Sequence, residues 1–99
     1  MSSLRHRWKA GEIKALRKKF YLTQENLAKL LEVAQQRVDE WEHGRKNMSL
    51  AYCKILGTIQ PTLESLLGQA GKDVAKYRRL VLQAYGVEIT ERHVKKAGA

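Results

Sequence analysis

Three histidines, His6, His43 and His93, and a single cysteine, Cys53, carry the widest chemical repertoire in this chain, and their spacing serves none of it. The histidines stand far apart and no acid, base or nucleophile signature accompanies them, so the chain does not read as an enzyme. One cysteine with scattered histidines matches no ligand spacing for a metal, and no cofactor is expected. Cys53 closes no disulfide within the chain, which suits a reducing compartment and points to the cytoplasm.

The denser chemistry is cationic. Lysine and arginine total 19 against 10 aspartates and glutamates, a formal net charge of +9 on 99 residues. Arg5, Arg7, Lys9, Lys14, Arg17, Lys18 and Lys19 face only Glu12 among the first twenty residues. A solubilising surface mixes its signs more evenly, so a polyanionic partner is expected. Charge alone does not separate DNA from RNA or an anionic membrane surface. No apolar run approaches the ~20 residues of a spanning helix and no apolar stretch follows the N-terminal charges, so the reading is neither exported nor membrane-embedded. The aromatic-rich strands of common RNA modules are missing as well.

The elements that would position these charges are helical. Ile13, Leu16 and Phe20 recur at helical spacing from Gly11 onward. Thr23 is placed to cap a second helix from Gln24 to about Leu31, with Leu27, Ala28, Leu30 and Leu31 on its buried face. After Glu32 and Val33 the pattern restarts with Val38 and Trp41, and this third helix stops near His43 and Gly44. Ser49 caps a fourth helix carrying Leu50, Ala51, Cys53, Ile55 and Leu56, which Pro61 breaks or restarts. A fifth, short helix holds Leu63, Leu66 and Leu67. Asp73 caps a sixth running to about Tyr85, with Val74, Tyr77, Val81 and Ala84 on one face and Gly86 beyond its end. The last residues, from Val87, are expected to be a short extended or frayed end without packed structure.

Two short helices joined by a tight turn, the second with a free polar face, form the helix-turn-helix arrangement, in which that second helix enters the DNA major groove. The residues are specific: Leu22-Thr23-Gln24-Glu25-Asn26-Leu27-Ala28-Lys29-Leu30-Leu31, then Val33, then Val38-Asp39-Glu40-Trp41-Glu42-His43-Gly44-Arg45-Lys46. This stretch resembles the Cro/C1 or Xre-type helix-turn-helix family of transcriptional regulators, which includes lambdoid phage repressors and antitoxins. The resemblance covers residues 11–57, roughly half the chain. It implies an all-α fold: a five-helix, lambda-repressor-like DNA-binding domain, here with an additional C-terminal helix. The expected organisation is a basic N-terminal arm at 1–9, the DNA-binding domain at 10–60, and a C-terminal helical extension at 61–99 that dimerises and ends in a basic tail.

The resemblance also assigns roles. Thr23 and Gln24, at a helix N-terminus, meet phosphate and set register. Gln35 and Gln36 match a glutamine pair that reaches base edges, with adenine the default partner because an amide can donate to N7 and accept from the N6 amino group. Arg37 either reads guanine or holds a phosphate. Glu40 either accepts from a cytosine amino group or pairs with Arg37. Glu42 is expected to pair with Arg17 and brace the first helix against the third, while Val38 and Trp41 lie in the core. His43 suits phosphate, Arg45 and Lys46 suit phosphate or entry to a narrow minor groove, and Arg5 and Arg7 form an arm able to wrap DNA.

Two features depart from simple expectation. Glu32 occupies the turn position where the family favours glycine, and must adopt a left-handed conformation or shift the turn. Ala34 cannot cap the third helix, and Arg37 puts a cation in its first turn. The resulting reading is a homodimeric repressor on a palindromic operator in double-stranded DNA. The alternative is an antitoxin, in which Tyr77, Leu80, Val81 and Tyr85 bind a toxin instead of completing the core or a homodimer.

Overall fold

The computed structural model describes residues 7–89, and within them the fold is all-helical. Five helices follow in order: α1 (Ala10–Lys19), α2 (Gln24–Leu31), α3 (Gln35–Glu42), α4 (Leu50–Ala70) and α5 (Val74–Tyr85). Arg5 of the expected N-terminal arm lies outside the described residues.

Local capping places most helix starts. The Thr23 hydroxyl accepts from the Asn26 amide at 2.9 Å, and the Asn26 side chain accepts from the Thr23 amide at 2.9 Å, so two orphan donors at the head of α2 are satisfied reciprocally. Asp73 accepts from the Lys76 amide at 3.1 Å at the head of α5, and Ser49 from the Tyr52 amide at the head of α4.

The ends of α1, α2 and α3 share one device, a residue with positive φ followed by a backward hydrogen bond over six residues. Leu22 N–H reaches the Arg17 carbonyl at 2.9 Å, Val33 reaches Ala28 at 2.9 Å and Arg45 reaches Glu40 at 2.9 Å. The residues that turn the chain are Tyr21 at φ 57°, Glu32 at φ 57° and Gly44 at φ 69°. Glu32 thus takes the left-handed alternative, and the turn keeps its geometry at the cost of strain in a residue with a Cβ. Tyr21 does the same without any local sign in the sequence.

The expected break at Pro61 does not occur: the fourth and fifth expected helices are one 21-residue helix. Pro61 withholds an N–H from the carbonyl of Gly57, a cost of about 3 kcal/mol in a helix interior. Both residues are exposed, so water reaches that carbonyl. Leu56, Ile59 and Leu63 are buried on either side, and burial of ~1.5–3 kcal/mol for each outweighs the break.

The C-terminal segment also departs from expectation. Val87 and Ile89 lie past the last helix but are buried, and the Glu88 carbonyl between them accepts from the Asn26 side-chain Nδ2 at 3.0 Å. Alternation puts both apolar side chains inward while the Glu88 side chain stays exposed. Tyr77 and Val81 are fully buried and complete the core instead of presenting a partner surface; Leu80 and Tyr85 are half-buried, and Ala84 is exposed. The Tyr77 hydroxyl donates to the Phe20 carbonyl at 2.8 Å, tying α5 to the end of α1.

Burial, with Tyr21 close by, raises the ionisation of Tyr77 far above the ordinary value of 10.0. The folded state therefore resists a deprotonation that the unfolded chain undergoes. This stabilisation is complete below about pH 10 and is lost as pH rises beyond it. Tyr77→Phe, which strands the Phe20 carbonyl, is expected to cost about 1–2 kcal/mol in urea unfolding at neutral pH and to flatten the alkaline decline in stability.

Candidate nucleic-acid interface

α3 divides cleanly into two faces. Val38 is 0% and Trp41 3% exposed, and the Trp41 ring packs tilted against Tyr52 with centroids 5.5 Å apart, so the indole is core and offers no surface for stacking bases. Gln35, Gln36 and Arg37 are exposed in the first turn, with His43, Arg45 and Lys46 exposed past its end. The first turn carries no acidic residue, and Ala34 supplies no side-chain cap. Its outward N–H groups thus meet solvent beside a cation, an arrangement that the helix dipole penalises in the free protein and that an approaching anion relieves.

The inner face is held by a polar cluster. Arg17 of α1 donates from Nε to Glu42 Oε2 at 2.7 Å and from Nη2 to Oε1 at 3.0 Å, while its Nη1 reaches the Leu22 carbonyl at 3.1 Å. The Glu42 side chain is only 2% exposed and that of Arg17 12%, so little solvent screens the pair. Gln24 Nε2 donates to Glu42 Oε1 and to Asp39 Oδ1, each at 3.2 Å. Its amide nitrogen is therefore committed to α3, a role that local reading of the α2 N-terminus does not reveal.

The polar side chains beyond α3 are tethered more loosely. His43 Nδ1 lies 2.9 Å from the Asp39 carbonyl and 3.1 Å from its carboxylate. Arg45 stands 4.0 Å from Asp39, and Lys46 3.9 Å from Glu40. Among the described residues no ion pair joins Arg37 to Glu40; the partner of Glu40 is Lys46, brought back by the turn at Gly44. The Arg45 and Lys46 side chains are about two-thirds exposed, and such pairs contribute only ~0–1 kcal/mol, so a phosphate can take over these cations at little cost.

Arg7 and Lys9 join Trp8, Ala10, Asn47 and Met48 around a shallow pocket of about 390 Å³. The start of the N-terminal arm therefore sits beside the loop that follows Arg45 and Lys46. Met48 is 1% exposed and anchors that loop in the core.

Residues 13–57 match the family model described as helix-turn-helix. The match supports the resemblance of this segment to Cro/C1-type helix-turn-helix proteins. No curated protein and no solved structure matches the chain. The matched region runs from Ile13 within α1 through α2 and α3 to the first turns of α4, including Arg17, Gln24 and Glu42. The match supports a DNA-binding regulator in general. No helix among the described residues is long and apolar enough to cross a membrane.

Removing Glu42 leaves Arg17 charged and only slightly hydrated. Glu42→Ala is expected to lower unfolding free energy by about 3 kcal/mol in denaturant titration, whereas Arg17→Met with Glu42→Leu recovers most of the loss, because no uncompensated charge remains.

Proposed function

We propose that the protein is a sequence-specific transcriptional repressor that binds a palindromic operator as a homodimer, with α3 lying in the major groove. The observation that supports this reading most directly is the uncapped, exposed first turn of α3, bearing Gln35, Gln36 and Arg37 opposite the buried Val38 and Trp41. In a groove those side chains face base edges. The two glutamine amides suit adenine, and Arg37 suits guanine or an adjoining phosphate.

Thr23 and the N-terminal turn of α2, with Gln24 locked to α3, fix register against one phosphate strand. Arg45 and Lys46 exchange their weak carboxylate partners for phosphates on the other side of α3, His43 assists there, and Arg7 with Arg5 extends the contact along the backbone. Glu40, released by Lys46, accepts from a cytosine amino group. The reading places the regulator in the cytoplasm, a reducing compartment that suits the free Cys53.

A toxin-binding role has less support. Of the four residues that would form its surface, Tyr77 and Val81 are occupied inside the molecule.

Selection of binding sites from random duplexes should return an inverted repeat with half-sites about one helical turn apart. On that operator, Gln35→Ala combined with Gln36→Ala is expected to cost about 1–3 kcal/mol and to relax preference at one or two base pairs per half-site, read by fluorescence anisotropy. Unchanged affinity and preference would remove the two glutamines from base recognition. Light scattering should give the mass of a dimer on the operator; a monomer both free and bound would exclude the symmetric assembly.

A further inference from the structure

Asp39 follows the buried Val38 on α3, and groups from three places in the chain converge on its carboxylate. Gln24, the first residue of α2, donates from Nε2 to Asp39 Oδ1 at 3.2 Å. His43, which closes α3, places Nδ1 3.1 Å from the same oxygen. Arg45, past the turn at Gly44, stands 4.0 Å from Oδ2. These are groups to which the reading above gives phosphate contacts or the setting of register.

The setting differs from that of Glu42, three residues further on. The Glu42 side chain is 2% exposed and enclosed by its partners, whereas that of Asp39 is 36% exposed at the rim of α3. The Asp39 backbone carbonyl also lies 2.9 Å from His43 Nδ1. Both neighbours of that nitrogen are acceptors, so Nδ1 carries the ring proton and donates to them. Asp39 thus holds the end of α3 through His43 and the start of α2 through Gln24. Its contact to Arg45 is the longest of the three and the easiest to exchange. A rim carboxylate in this place also repels phosphate: at a protein surface, two like charges about 5 Å apart weaken association by about threefold to tenfold.

We propose that Asp39 is a positioning residue that raises the selectivity of α3 for its operator over other duplex DNA. The role rests on the major-groove placement of α3 proposed above. With the duplex in register, Arg45 leaves Oδ2 for a phosphate, while Oδ1 keeps Gln24 and His43 aligned. A sequence that offers Gln35 and Gln36 no base partners does not fix the register, and a backbone displaced toward Asp39 meets like charge without the compensating guanidinium. Asp39 therefore acts through Gln24, His43 and Arg45 and against misplaced phosphate, and it touches no base.

Asparagine matches aspartate in size and keeps an oxygen able to accept from Gln24 and His43, so Asp39→Asn removes the charge and spares the bracket. The test compares it with the unmodified chain and with Glu32→Gln, which removes an equal charge from an exposed residue outside the cluster. Anisotropy titrations at one salt concentration give the affinity of each protein for the selected operator and for a duplex of scrambled sequence. Asp39→Asn is expected to bind the scrambled duplex about threefold to tenfold more tightly and the operator no more tightly, so that the ratio of the two affinities falls by about that factor. Glu32→Gln should keep the ratio of the unmodified chain. A merely structural loss would weaken both duplexes together and leave the ratio where it was. An unaltered ratio, or an equal gain on both duplexes, would overturn the role of Asp39 while the operator preference of the unmodified chain still stands. A changed base preference on renewed selection would overturn it as well, by making Asp39 a reader of bases. If the unmodified chain prefers no duplex over another, the placement of α3 fails, and the role of Asp39 with it.

Discussion

The Glu42 carboxylate, at the end of α3, is shared between two other helices: Arg17 of α1 grips both its oxygens, and Gln24 of α2 donates to one of them. Arg17 also holds the Leu22 carbonyl just ahead of α2. The three helices of the helix-turn-helix segment are therefore locked by one nearly dry charge cluster rather than by apolar contact alone. Apolar packing of Val38 and Trp41 tolerates small rotations of α3, whereas a bidentate guanidinium pair fixes direction as well as distance. The base reading proposed for α3 depends on the same property, because a helix turned by a few degrees presents its amides to the wrong edges.

Around that cluster the polar groups fall into two energetic classes. Those facing inward are paired and costly to unpair: Arg17, Glu42 and Gln24 with one another, Asn26 with the Thr23 and Glu88 backbone. Those facing outward, Arg45 and Lys46, hold exposed, longer contacts to Asp39 and Glu40 that contribute little. The first class makes the scaffold rigid and the second keeps its cations available. Strain is tolerated in the turns for the same reason. Glu32 keeps a left-handed conformation because the hydrogen bond from Val33 to Ala28 and the packing of α2 on α3 together over-determine it.

The C-terminal half is part of this scaffold. Tyr77 and Val81 of α5, with Val87 and Ile89 beyond it, are buried in one core with Phe20, Leu22 and Leu27. Two polar ties, Tyr77 to Phe20 and Glu88 to Asn26, close the C-terminal half over the α1–α2 turn from sequence separations of 57 and 62 residues. A segment that reads as an appendage by its position in the chain thus supports the helix-turn-helix directly.

Residue order alone determines whatever is settled within a few residues. Thr23, Ser49 and Asp73 start their helices because an N-cap bond spans three positions. Val38 and Trp41 fall on one face because an α-helix repeats every 3.6 residues. The helical class and the helix-turn-helix spacing follow from such local rules. The continuation of α4 through Pro61, the left-handed Tyr21, the burial of Val87 and Ile89 and the choice of Lys46 over Arg37 as partner to Glu40 do not. In each of these a local penalty, or an indifferent local preference, is overridden by burial or by a partner that only the folded chain brings near. The same holds at the cluster on which the structure turns: the charges of Arg17 and Glu42 are written 25 residues apart, and it is packing of α1 against α3 that removes the water between them and makes them one interaction.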